Sequence, residues 1–178
     1  DAKAEQAESQ IISGCAFGFE NASLAQCDFG SEKSSKTVVL LGDSLARNGL
    51  APLSTAAQEE GWRLNAWVKS SCTPADVTLY ERIRKIEYKQ CDEFREESFE
   101  RTIALKPDIV ILVVGVDTGM RVFDRDSETL LTVKESAPVV LAGWRETIER
   151  FTSKGIEVVV VPGWARAPHD PVTCLLDS

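Results

Sequence analysis

The sequence predicts a three-layer α/β/α sandwich built on a mostly parallel sheet, and three observations carry that prediction. Short runs such as Thr37-Val38-Val39-Leu40-Leu41 and Ile109-Val110-Ile111-Leu112-Val113-Val114 are apolar throughout, as in strands covered on both faces. Segments of helical periodicity separate these runs, and strands alternating with helices give a parallel sheet with helices on both sides. Glycines punctuate the joins, with Gly42 and Gly115 after two of the runs and Gly61 and Gly155 after two helical segments.

The 178 residues carry 20 Lys and Arg against 28 Asp and Glu, a net charge of −8, with 43% hydrophobic and 27% charged residues. This is the balance of a globular domain, and a chain of this length buries roughly 70% of its unfolded surface in one core. No apolar run approaches the ~18–20 residues that span a bilayer. A pI near 4.8 without a basic stripe argues against nucleic acid as a partner. No secretory signal stands at the start, so an export signal is expected upstream or already removed.

Residues 1–36 read as a linker and disulfide-pinned lead-in, with a short helix around 4–11. The α/β domain is expected over 37–178. Its first strand is 37–41. The helix that follows carries Leu50, Leu53, Ala56 and Ala57 at helical spacing. Pro52 costs about 3 kcal/mol inside a helix, so the expectation is an irregular first turn after Ser44 or a regular helix starting near Pro52. Residues 63–68 alternate as a second strand, followed by a loop over 69–74 and a stretch to about 90 without a clear pattern. A helix over 91–105 stops at Lys106-Pro107-Asp108, and Ile109–Val114 is the third strand. A long loop is expected over 116–136, then a helix over 139–154 and a fourth strand over 156–161.

Sites in such sheets lie beyond the carboxyl ends of the strands. That rule nominates Gly42-Asp43-Ser44, Lys69-Ser70-Ser71-Cys72 and Gly115-Val116-Asp117. A serine where a strand turns into a helix has an exposed hydroxyl beside free backbone N–H groups and the positive end of the helix dipole. Such donors can hold the oxyanion that forms when the serine attacks an acyl carbon. Asp43 or Ser44 acting only as a helix cap is the other reading of the same spacing.

Five cysteines are present: Cys15, Cys27, Cys72, Cys91 and Cys174. Their order suggests local disulfides Cys15–Cys27 and Cys72–Cys91, each contributing about 3 kcal/mol in the chain-entropy description. That pairing implies an oxidising, extracytoplasmic setting, whereas five buried thiols would fit a cytosolic enzyme. Cys174 is left over. With no Cys-x-x-Cys pair and one histidine, His169, the sequence offers no zinc site. No Gly-rich phosphate loop is present, so no cofactor is expected. Asp124-Arg125-Asp126-Ser127-Glu128 lacks the spaced ligands of a calcium loop and reads as a solvated turn. The acidic run Asp92, Glu93, Glu96, Glu97 and Glu100 reads as the solvent face of a helix. Trp62, Trp67, Trp144 and Trp164 read either as the lining of a sugar-binding cleft or, for most of them, as core or half-buried packing, with Trp164, after the fourth strand, the best candidate for a substrate contact.

The motif Gly42-Asp43-Ser44-Leu45 after a Val/Leu strand resembles the first block of the SGNH/GDSL hydrolases. The longer set is similar to one branch: Pro52-Leu53, Glu60-Gly61-Trp62-Arg63-Leu64, Lys69-Ser70-Ser71-Cys72-Thr73-Pro74, Cys91 and Lys106-Pro107-Asp108-Ile109-Val110. That branch is the extracytoplasmic SGNH domain linked to membrane acyltransferase-3 domains. The resemblance, over roughly residues 27–175, implies a flavodoxin-like sandwich and a serine-dependent O-acyltransferase or esterase. Such a domain moves a short acyl group to or from hydroxyls of cell-envelope glycan. It implies Ser44 as nucleophile and oxyanion donor, with Asp43 shaping the turn. Ser70 and Ser71 occupy the loop where the superfamily carries a donor glycine, leaving the Ser71 backbone as donor. The Gly115 segment carries Asp117 in place of a donor asparagine. The resemblance implies as partners an acyl donor delivered by a membrane acyltransferase domain and a glycan acceptor, with tethering by an upstream membrane segment. The superfamily's Asp-x-x-His base block is missing, which implies a C-terminally incomplete domain. The same absence, with Asp117 and Ser71, favours a non-catalytic glycan-binding module as the alternative.

Overall fold

The computed structural model describes residues 15–22, 24, 27–114 and 120–162. In chain order the elements are β1 (Ala16–Phe17), β2 (Asp28–Gly30), β3 (Thr37–Gly42), α1 (Ser44–Glu59), β4 (Arg63–Lys69), β5 (Leu79–Glu81), β6 (Ile86–Glu87), α2 (Lys89–Leu105), β7 (Ile109–Val114), β8 (Met120–Asp124), β9 (Thr129–Leu130), α3 (Val133–Thr152) and β10 (Glu157–Pro162). Four of the strands, β3, β4, β7 and β10, are those expected from the sequence. They pair in the order β4-β3-β7-β10, all parallel, with Gly42 opposite both Val68 and Val113.

Two core layers follow from the two-residue period of the strands. Val38, Leu40, Leu64, Ala66 and Val68 face α1 and meet Ala46, Leu50 and Ala57. Val39, Leu41, Trp67, Val110 and Leu112 face the other way, onto Phe94 and Phe99 of α2 and Phe151. The α/β/α sandwich is therefore as expected. The order of connections reverses at β3, since the chain steps from β3 to β4 through α1 and returns past β3 to β7 through α2. That reversal makes the carboxyl ends of β3 and β7 the switch point, where open α/β sheets place their sites.

The disulfide-pinned lead-in pairs into the same sheet. β1 runs parallel to the end of β4 and β2 antiparallel to its start, with Cys15 joined to Cys27 between them. The second expected disulfide, Cys72–Cys91, ties the loop after β4 to the first turn of α2. The helix expected around 4–11 lies outside the described residues.

Three expectations are corrected. First, α1 runs unbroken from Ser44 through Pro52. Pro52 and Asn48, whose carbonyl loses its partner, are both exposed, so solvent can satisfy that group. Second, α3 begins at Val133, six residues before the expected start. Thr132 and Glu135 form a reciprocal capping box, and Pro138 lies in the next turn without ending the helix. Third, the stretch without a clear pattern before α2 and the long loop expected over 116–136 supply a small antiparallel sheet in the order β6-β5-β8-β9. Its strands have two to five residues and its inner face packs Leu79, Met120 and Val122 against the α2-side core. The acidic run on α2 is solvent-facing except at Asp92, which accepts from buried Arg95 at 2.8 Å and from Arg125 at 2.6 Å. Burial pushes the Asp92 carboxyl upward against the pull of these two arginines. Asp124 closes a turn by accepting from the Asp126 N–H at 2.9 Å and Ser127 Oγ at 2.8 Å. Trp67 is buried, and Trp62 and Trp144 are partly buried against the two cores.

Gly42 is where the central strand has no room. A Cβ there would stand 2.4 Å from the Val113 carbonyl oxygen and 2.7 Å from Ala46 Cβ. Gly42→Ala is therefore expected to lower the unfolding free energy by about 1–3 kcal/mol or more, because the nearest atom is backbone and cannot swing aside. Urea unfolding followed by tryptophan fluorescence measures this; an unchanged midpoint would contradict the close approach.

Candidate active site

The end of β3 turns directly into α1. Asp43 is the N-cap, with extended backbone, and its Oδ1 accepts from the Leu45 N–H at 2.8 Å. The Asp43 carbonyl accepts from the Ala46 N–H at 3.0 Å. Asp43 is buried at 4% exposure, while Ser44, one residue on, is exposed. Asp43 therefore caps the helix, and Ser44 stands exposed at its mouth. Among the described residues no acceptor takes the Ser44 N–H, and its hydroxyl has no hydrogen-bond partner. The free N–H, the hydroxyl and the positive end of the α1 dipole meet at one point.

The second nominated loop leaves the same edge of the sheet, since the register sets Gly42 beside Val68. Residues 69–72 form a turn closed by the Cys72 N–H donating to the Lys69 carbonyl at 3.2 Å. Ser71 has φ +54°, in the left-handed region that glycine favours. The backbone here has the conformation of a glycine position although the residue is serine, at a cost of order 1 kcal/mol. The Ser70 carbonyl accepts from the Tyr88 hydroxyl at 2.9 Å. Sequence reasoning passed over Tyr88; its one hint was a spacing of a single helical turn before Cys91.

Lys69 is the other residue whose role the sequence concealed. Its side chain is fully buried. The ammonium donates to the carbonyls of Gly18 at 2.7 Å, Phe19 at 3.2 Å and Asn21, and it lies over the rings of Tyr88 and Phe94. Burial pulls its pKa from 10.5 to about 8, against the carboxylates of Glu20 and Glu93. Lys69 thus fastens the lead-in to the end of β4. On the far side of the loop, Arg95 donates to Asp76 at 3.2 Å, the Asp76 N–H donates to the Gly143 carbonyl at 3.1 Å, and Thr147 Oγ1 donates to the Pro74 carbonyl at 2.8 Å.

The remaining nominated residues, Gly115, Asp117, Trp164, His169 and Cys174, lie outside the described residues. A groove of about 920 Å³ lies at the opposite edge of the sheet, between Lys36, Lys106, Asp108, Lys154 and Glu157. Lys106 and Lys154 stand at the C-terminal ends of α2 and α3, where cations offset the negative dipole ends. Among the described residues no helix N-terminus opens there, so geometry favours the carboxyl-edge site. Among the described residues no group of three or more His, Cys, Asp or Glu side chains is placed to hold a metal ion. Nor, among them, is any helix long and apolar enough to cross a membrane.

A parallel α/β sandwich with an exposed serine opening the helix after its central strand defines a class of fold and site. The chain belongs to one family within it, the SGNH domain (fused to AT3 domains), which it matches over residues 14–177. Among solved structures it is similar to the periplasmic domain of the lipopolysaccharide acetyltransferase of Salmonella ser. Paratyphi A, with a TM-score of 0.57 at 12% identity. The match covers 91% of this chain and 57% of that one, so the chain spans little more than half its length, and what the two share is the fold. A comparison with curated proteins gives no match.

The buried ammonium makes a pH prediction. Folded chains release the Lys69 proton near pH 8 and unfolded chains near 10.5, so between these values the unfolded chain holds more protons. The contribution of this group to stability therefore rises with pH across that window. Comparing urea midpoints from pH 7.5 to 10 in the wild type and Lys69→Met isolates it: the difference between the two proteins is expected to shift in favour of the wild type as pH rises.

Proposed function

We propose that the chain is an extracytoplasmic SGNH-type O-acyltransferase or esterase domain. It moves an acetyl or similar short acyl group to or from hydroxyls of cell-envelope glycan through Ser44. The observation that carries this reading is the exposure of Ser44 at the switch point, beside a capping Asp43, with its own N–H unpaired among the described residues. Ser44 Oγ attacks the acyl carbon, an oxyanion forms between the N–H groups of Ser44 and Ser71, and the leaving oxygen departs with a proton. The glycan hydroxyl, or water in an esterase, then attacks the Ser44 ester, and the serine regains its proton. The two disulfides support an oxidising compartment. The family's fusion to AT3 domains supports a membrane acyltransferase domain as the source of the acyl group, with an upstream membrane segment as the tether.

A base must take the serine proton. The sequence holds no Asp-x-x-His and a single histidine, His169. That composition, with Asp117 where an asparagine donor is expected, favours a second reading: a glycan-binding module that kept the fold and lost the chemistry.

Intact mass after exposure to a fluorophosphonate separates the two. The enzyme reading expects one adduct on this chain, absent in Ser44→Ala, with His169 then the first base to test. If the chain and a longer one supplying an Asp-x-x-His block both stay unlabelled, catalysis at Ser44 is excluded and the binding reading stands.

A further inference from the structure

We propose that Tyr88 is a positioning residue for this site: its hydroxyl locks the central peptide of the 69–72 turn so that the Ser71 N–H faces the carboxyl edge. The catalytic use of that lock rests on the reading of the Ser71 N–H as an oxyanion donor.

A four-residue turn has two common forms that differ by a half-rotation of the central peptide. Type I keeps negative φ at the third residue and accepts serine there. Type II requires positive φ at that position and is a glycine turn. Here the turn is closed by the 3.2 Å bond from the Cys72 N–H to the Lys69 carbonyl, Ser70 is not among the residues of positive φ, and Ser71 stands at +54°. It is the type II form with serine in the glycine position, so intrinsic preference favours the other form.

The hydrogen bond that opposes this preference is the one from Tyr88. A trans peptide points its carbonyl and its N–H in opposite directions. With the Ser70 carbonyl drawn 2.9 Å from the Tyr88 hydroxyl, the Ser71 N–H is turned away from that buried ring. No acceptor among the described residues takes it. Flipping the peptide would deprive a buried hydroxyl of this acceptor. Tyr88 is itself held fast: it is 2% exposed, its ring lies 4.8 Å from that of Phe19 and 5.2 Å from the Lys69 ammonium, and its N–H donates to the Leu79 carbonyl at 2.7 Å. The Cys72–Cys91 disulfide secures the end of the turn but leaves the 70–71 peptide free to rotate, so orientation falls to the hydroxyl.

Tyr88→Phe keeps the ring and removes the lock. In the wild type, the cross-peak between Ser70 Hα and the Ser71 amide proton is expected to be strong, the signature of type II. In the variant it is expected to weaken while the Ser70–Ser71 amide–amide cross-peak grows. In parallel, the saturating rate of fluorophosphonate labelling at Ser44 is expected to fall about tenfold, part of the loss seen when an oxyanion donor is removed, with the half-saturating concentration unchanged. Adding Ser71→Gly to Tyr88→Phe is expected to bring the rate back, because glycine holds positive φ unaided. A role in packing alone would show no such rescue. An unchanged cross-peak pattern in Tyr88→Phe overturns the lock. A changed pattern with an unchanged labelling rate overturns its use at the site. A wild type that does not label at all overturns the serine reading above and with it the catalytic use, and the cross-peaks then decide the lock by themselves.

Discussion

β3 is hydrogen-bonded to β4 on one side and β7 on the other, and both of its faces are covered, so its last residue has nowhere to move. Gly42 lies against the Val113 carbonyl and Ala46, at the point where strand becomes helix. Only a residue without a Cβ lets β7 and the first turn of α1 approach together. That approach fixes where α1 begins, and the Asp43 cap then sets Ser44 at the helix mouth. The position of the serine is thus a packing result before it is a chemical one.

Parallel strands send every crossover helix the same way, which sorts charge between the two edges of the sheet. The carboxyl edge receives helix N-termini and the amino edge helix C-termini, with Lys106 and Lys154 at the latter. The loop after β4 would be free at the carboxyl edge but for several unlike fastenings. The Lys69 ammonium joins it to the lead-in, the Cys72 disulfide and the Tyr88 hydroxyl join it to α2, and Arg95 and Thr147 brace residues 74–76.

The sequence disclosed those parts of the fold that obey one strong rule. Strands covered on both faces must be apolar throughout, and Ile109–Val114 or 37–41 can hardly be anything else. The disulfides followed from cysteine order, and Ser44 from its place after the first strand. Most of the short strands escaped because two or three residues cannot show a period, and the five-residue β8 lay inside the span read as a long loop. The start of α3 was written in Thr132 and Glu135, a capping box that lay inside the span read as a long loop over 116–136. The left-handed Ser71 was invisible because its conformation is set by a residue seventeen positions later. Lys69 was nominated only as part of the loop after the second strand, because nothing local reveals three carbonyls arriving from the lead-in.

The two outer edges of the main sheet differ. Along β4, one half is met by β2 and the other by β1, and the Ala66 N–H donates to the Cys27 carbonyl between them at 2.9 Å. Along β10, pairing among the described residues is with β7 alone, and Val159, Val160 and Val161 are 39–42% exposed. A strand edge with open amide and carbonyl groups is a template for another strand. Among the described residues β10 therefore offers an open edge along which a further strand, from this chain or from another, can add, at the end of the sheet farthest from the lead-in.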